Sequence, residues 1–254
     1  MICVFILRPG TKGALIVFLT ETNVLETAKK QYHYKLKSYT GLFITMMIVQ
    51  FIALLFSLGG VGSAGMGSGS VMLSVKSFSS EIIIIFTFFW AFIVAAMLTT
   101  KEYRNIDFAF VTNRVSANLS NIGFLVTTCL LGGLSAILGG VLLRVLVYYI
   151  FGSANILSVN FFIVPRELLL GIAVTVLYLL LLSAIGYFAG MLVQFSKVFL
   201  VILPTLFFGT LILTARNPIP VVVNAMNFLL NESSPALLAV KVIFIASGIF
   251  VSTI

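Results

Sequence analysis

Acidic and imidazole side chains are almost missing from this 254-residue chain, which has six glutamates, one aspartate (Asp107) and one histidine (His33). A pair of catalytic aspartates cannot be assembled from that inventory. An HExxH zinc motif cannot either, because it needs two histidines. A Ser–His–Asp triad would have to use His33 and Asp107, both in segments expected outside the membrane. The two cysteines, Cys3 and Cys129, show no metal-type spacing. Cys129 lies within an apolar run, where a thiol behaves as a small hydrophobe. No Gly-x4-Gly-Lys-Ser/Thr sequence occurs, so the chain carries no P-loop with which to hydrolyse ATP. The expectation is that it is not an enzyme and binds no cofactor or metal itself.

Charge of either sign is scarce: 9% of residues are charged and 61% hydrophobic, against about 25% and roughly 45–50% in globular proteins. The mean hydropathy of +1.20 leaves too few polar side chains to cover a water-soluble fold. The 24 phenylalanines and only six prolines also exclude disorder, collagen-like repeats and a disulfide scaffold. The composition is that of an integral membrane protein. In this setting the net charge of +8 is expected to face the cytoplasm and anionic lipid headgroups, with no nucleic-acid partner.

A hydrocarbon core of about 30 Å needs roughly 20 apolar residues in helix. Six runs meet or approach this length: 40–58, 82–100, 121–143, 167–190, 198–214 and 236–254. The fold class expected is therefore an all-α integral membrane protein with a six-helix transmembrane domain over 40–254, preceded by an amino-terminal segment, 1–39. Residues 1–19 are apolar but interrupted by Arg8-Pro9-Gly10 and Lys12-Gly13, so neither fragment spans. No positive charge precedes this stretch and no small-residue cleavage site follows it, which argues against a signal peptide. An interfacial segment and an over-extended reading frame both remain open for this stretch.

With the amino terminus inside, the cytoplasmic segments hold Lys29, Lys30, Lys35, Lys37, Lys101, Arg104, Arg114 and Lys197. The opposite side holds Lys76, Arg144, Arg166 and Arg216. Eight against four agrees with the positive-inside rule and places both termini in the cytoplasm. Lys241 lies about one and a half turns into the last run, from where its stem is expected to snorkel outward. Residues 59–70 form a Gly/Ser-rich flexible stretch. Its Gly60-x-Gly62-x-x-Gly65 matches a dinucleotide fingerprint only formally, because it lies between two spans and not in a βαβ unit.

Two cytoplasmic segments carry the most information. In the first, Val24–Tyr39, Leu25, Ala28, Tyr32, Leu36 and Tyr39 recur at three- and four-residue steps and give an apolar stripe. Glu26, Lys29, Lys30, His33 and Lys37 fall largely away from it. A basic amphipathic helix over about 24–39 is expected in the interfacial plane, with Lys29, Lys30, Tyr32, Lys35 and Lys37 meeting the membrane surface. The second, 101–120, places Tyr103, Ile106 and Phe110 on one helical face and Phe108, Val111 and Val115 on another. One face can lie against the spans and the other is available to a partner, since aromatic and Arg side chains anchor interfaces. Asn113, Ser116, Asn118, Ser120 and Asn121 form a polar approach to the third run, where side chains can cap its first N–H groups.

Within the membrane, Gly186 and Gly190 form a GxxxG in the fourth run, and Gly132, Gly133, Gly139 and Gly140 line the third, marking close helix approaches. Pro204 predicts a kink in the fifth run. The apolar middle of 216–235, Val221 to Leu230, suggests a short external or re-entrant helix. The middles of the first five runs hold no charged residue and offer little beyond Gln50, Ser and Thr. That weighs against an ion-coupled secondary transporter or channel, which usually places ionisable groups at the midplane. A non-transporting assembly or sensor subunit is a further alternative.

This arrangement resembles the type-2 (ABC-2-type) permeases of ATP-binding-cassette transporters, similar in particular to those of Gram-positive bacteria such as bacilli. The sequences YHYKLKSYTGLF before the first span and KEYRNIDFAFVTNRVSANLSNIGFLVT before the third carry the likeness, with Phe110-Val111-Thr112-Asn113-Arg114 at the position of an FPVSR-like segment. The missing basic tail after Thr253 departs from the usual pattern. The resemblance implies a plasma-membrane permease subunit that forms the translocation path, with ATP bound by a separate ATPase subunit. It also implies a second permease copy or paralogue, and a coupling helix between spans two and three. Tyr103, Arg104, Asp107, Phe108 and Phe110 are the expected docking residues. An uncharged interior leans toward an amphiphile, peptide, antibiotic or lipid as substrate and away from a small ion, and the resemblance implies export more often than import.

Overall fold

The structure is a computed structural model, and it describes residues 24–60, 62–68, 71–103, 114–151, 164–216, 220–230 and 234–253. Helix α1 covers Val24–Ser38 and α2 Thr40–Leu58. Strands β1 (Gly62–Ser68) and β2 (Val71–Ser77) follow, then α3 (Glu81–Leu98), α4 (Arg114–Phe151) and α5 (Pro165–Phe195). Helices α6 (Phe199–Arg216), α7 (Pro220–Leu230) and α8 (Pro235–Ser252) complete the order.

Among the described residues, five helices, α2, α3, α4, α5 and α8, are long and apolar enough to cross a membrane. The protein is a multi-pass membrane protein of helical class. Helix α6 is apolar but shorter over its hydrophobic stretch, Phe199–Thr214, and Pro204 lies inside it. The third expected run, 121–143, is part of a single 38-residue helix, about 57 Å long at 1.5 Å per residue. That exceeds the bilayer with its headgroup regions, about 40–45 Å. Ser116, Asn118, Ser120 and Asn121 therefore lie inside the helix and do not cap it, which corrects the capping expectation for them; Asn113 lies outside the described residues.

The Gly/Ser-rich stretch also differs from its expectation of flexibility. Gly62–Ser68 pairs antiparallel with Val71–Ser77, in a register from Gly62 opposite Ser77 to Ser68 opposite Val71. Between the strands the sequence reads Gly69-Ser70, a dipeptide of the kind that closes two-residue hairpins. Before the hairpin, α2 is stopped at Gly60, whose φ of 88° lies in the left-handed region that glycine enters without penalty.

Neighbouring helices are read from their contacts. Gln50 of α2 meets Thr87 of α3, and Thr45 meets Trp90, so these two run antiparallel. Gly186 of α5 faces Phe92 of α3 and Gly190 faces Ala96, so α3 and α5 run parallel. A Cβ at Gly186 would lie 2.5 Å from the Phe92 carbonyl oxygen, and one at Gly190 2.9 Å from that of Ala96. Only glycine permits that approach, the use small residues have in membrane helix packing. Antiparallel α4 packs on α5 with Gly133 against Val176, where a Cβ would lie 2.5 Å from Val176 Cγ2. Helix α8 runs parallel to α5, with Leu181 beside Leu238 and Val242 and Tyr187 6.2 Å from the Phe250 ring. Trp90, Phe124, Cys129, Leu179, Tyr187 and Phe250 share the main core. Large side chains such as Phe51, Phe56, Phe89 and Phe244 point outward, as expected of helices solvated by lipid.

Candidate functional site: a polar cluster at the α1 end of the bundle

Helix α1 forms because Glu26 and Lys30 pair at the favourable i,i+4 spacing, 2.8 Å apart and exposed, and because one face seats on α4. That face matches the expected stripe only in part. Ala28, Gln31 and Lys35 are the buried residues, and Leu25 is 69% exposed. The buried set is rotated by about one residue from the apolar stripe and brings two polar side chains inward. Tyr32 and Leu36 are half-buried, and the Tyr32 ring lies 3.4 Å from where a Cβ on Gly123 would stand. Lys29, Lys30 and Lys37 are exposed, as is His33, whose ring is tilted on Tyr32.

Lys35 corrects its expectation. It is 1% exposed and turned into the protein, away from the surface. Its ammonium donates to Ser120 Oγ at 2.9 Å and to Asn121 Oδ1. Taking an ammonium out of water costs several kcal/mol, and hydrogen bonds to a charged group return about 1.5–3 kcal/mol each. The polar residues at the start of α4 are what make burial of this lysine possible.

The cluster continues across the bundle. Asn121 Nδ2 donates to Tyr187 Oη at 3.2 Å, and Tyr187 Oη donates to Asn118 Oδ1 at 2.9 Å. Asn118 Nδ2 then donates to the Thr253 carbonyl at 2.8 Å, satisfying one of the free acceptors at the end of α8. The same end of the bundle holds a second clamp, in which Gln194 Nε2 of α5 donates to the Thr99 carbonyl after α3. Beside it, Tyr39, the one residue between α1 and α2, is buried between Tyr103 (centroids 5.1 Å) and Phe124 (5.7 Å), both edge-on.

Of the expected docking residues, Tyr103 is half-buried in this aromatic contact. Arg104, Asp107, Phe108 and Phe110 lie outside the described residues. Gln31 is also 1% exposed, and among the described residues neither its Nε2 nor its Oε1 has a hydrogen-bond partner. Sequence patterning missed Lys35, Gln31, Tyr187 and Thr253 as one group. The available signal was the 28–31–35–39 spacing together with the polar side chains at 118–121.

Deeper in the membrane, Gln50 Nε2 donates to Thr87 Oγ1 (3.2 Å), Ser135 Oγ (3.0 Å) and the Gly132 carbonyl (3.4 Å), joining α2, α3 and α4. At the opposite end, Lys241 of α8 donates to the Phe228 carbonyl at 2.6 Å and sits 3.8 Å over the Phe228 ring. A cation at the last carbonyls of α7 is favoured by the helix dipole as well as by the ring. Among the described residues no group of three or more His, Cys, Asp or Glu could hold a metal ion. No family model, no curated protein and no solved structure matches this chain.

Proposed function

We propose that the chain is the membrane-spanning permease subunit of an ATP-binding-cassette transporter, worked by a separate ATPase that docks on residues 103–111. The observation that carries this reading is the gathering of linked helix ends at one end of the bundle. The described start of the docking segment, Tyr103, rests on Tyr39 at the junction of α1 and α2. Thr99, four residues before Tyr103, is tied to α5 through Gln194, and the polar cluster links α1, α4, α5 and α8 a short distance away. A push transmitted to Tyr103 would reach these helices through Tyr39, Phe124 and the hydrogen-bonded cluster, as coupling through packed elements requires.

Six crossings fit the same geometry. Helix α5 ends at the α1 end, where Gln194 meets Thr99, and α8 ends there too, where Thr253 meets Asn118. Because α8 runs parallel to α5, the chain between them must return to the opposite end. The 18 residues of α6, about 27 Å in helix, are close to the roughly 30 Å of hydrocarbon to be crossed. Both termini then lie on the cytoplasmic side, as the distribution of basic residues asks. A second copy or paralogue completes the path; the uncharged interior suits an amphiphile, peptide, antibiotic or lipid, and the resemblance favours export.

Co-purification with a P-loop ATPase encoded beside it, followed by Phe108→Ala and Phe110→Ala, tests this reading. Both variants should insert normally and lose coupling of ATP hydrolysis to transport. Unchanged coupling in reconstituted vesicles would rule out the docking assignment.

A further inference from the structure

We propose that the hydrogen-bonded chain Lys35–Asn121–Tyr187–Asn118–Thr253 is a latch that seats α1 on the bundle and is built to open. That the ATPase opens it rests on the transporter reading; that it opens at all does not. Each link joins separate helices: α1 to α4 at Lys35, α4 to α5 at Tyr187, and α4 to the end of α8 at Thr253. The links are hydrogen bonds between single side chains or to one carbonyl, so none of them needs an extended surface to separate. Lys35 is the only buried one of the four lysines in α1; Lys29, Lys30 and Lys37 are exposed. Its long stem lets the ammonium swing outward to the level of its neighbours, as lysines near a membrane surface do.

What makes the latch more than a staple is Gln31. One turn before Lys35 on the same face, its amide is buried with no hydrogen-bond partner among the described residues. The seated arrangement therefore carries a desolvation penalty that lifting α1 would remove. A seat held by Lys35 and by the packing of Tyr32 and Leu36, and opposed by Gln31, balances two arrangements, as a switching element needs.

Hydrogen exchange of the α1 amides, measured on the full chain in lipid nanodiscs without any ATPase, tests the latch. Gln31→Met removes the buried amide and should slow exchange across α1 by about tenfold. Asn118 hydrogen-bonds Tyr187 and Thr253 and no residue of α1, yet Asn118→Ala should speed α1 exchange by a similar factor because it cuts the chain at its far side. Exchange in α1 that ignores both substitutions would overturn the proposal. If the latch behaves as stated in lipid but a co-purified ATPase and ATP leave α1 exchange unaltered, the latch stands and its opening by the ATPase is overturned.

Discussion

Gly186 and Gly190 set how closely α3 and α5 approach, and the consequence is measurable at single positions. Gly190→Val should cost about 1–3 kcal/mol through overpacking, read as a lowered unfolding midpoint in detergent. The matched control is Gly209→Val in α6, where an added Cβ meets nothing within 4 Å; its midpoint should hardly move. Gln50→Leu removes three donated contacts but leaves an apolar side chain among Thr87, Ser135 and Gly132. Hydrogen bonds inside membranes average about 0.6 kcal/mol, so a loss of roughly 1 kcal/mol is expected. The glycine pair was readable because GxxxG at four-residue spacing has a direct steric meaning. The orientation of Lys35 was not readable, because a lysine on an amphipathic helix normally faces water. Only the polar side chains of α4, some eighty residues away in sequence, reverse that preference.

At the scale of elements, the apolar runs located α2, α3, α5, α6 and α8 to within a few residues, since hydropathy and helix length are both local properties. The ends of α4 were not local. Polar residues 116–121 broke the hydropathy run, yet they continue the helix because their side chains are satisfied by Lys35, Tyr187 and the Thr253 carbonyl. The hairpin was hidden by its glycines, which lower strand propensity in the sequence while the cross-strand ladder still forms. In α1, Lys30 holds the exposed Glu26 carboxyl below the ordinary glutamate range by hydrogen bond and charge. A lowered pKa in the folded state means the pair supports the helix above the ordinary glutamate pKa. That support fades as pH falls through the lowered value. Acidification should accordingly loosen the first turns of α1, read by exchange of its amides, and Glu26→Gln should abolish that pH dependence.

At the largest scale, the described contacts fold the chain so that α1, Tyr103, Gln194 and Thr253 share one end, and the hairpin and the start of α8 share the other. Single cysteines at Lys30 and at Ser252 should react with an impermeant thiol reagent from the same side of a sealed vesicle, and one at Lys76 from the other. The Lys30 site reacting from the side opposite Ser252 would refute six crossings. Function is the least legible level, because the segment that would meet an ATPase, 103–111, has aromatic side chains whose role depends on a partner. The claim on which the account rests is that this chain moves its cargo only when an ATPase drives it. Solute flux in vesicles reconstituted with the chain, with and without its ATPase and ATP, measures that directly. Flux that requires both, and that persists without any ion gradient, is the expected result; flux driven by an ion gradient through the chain alone would contradict it.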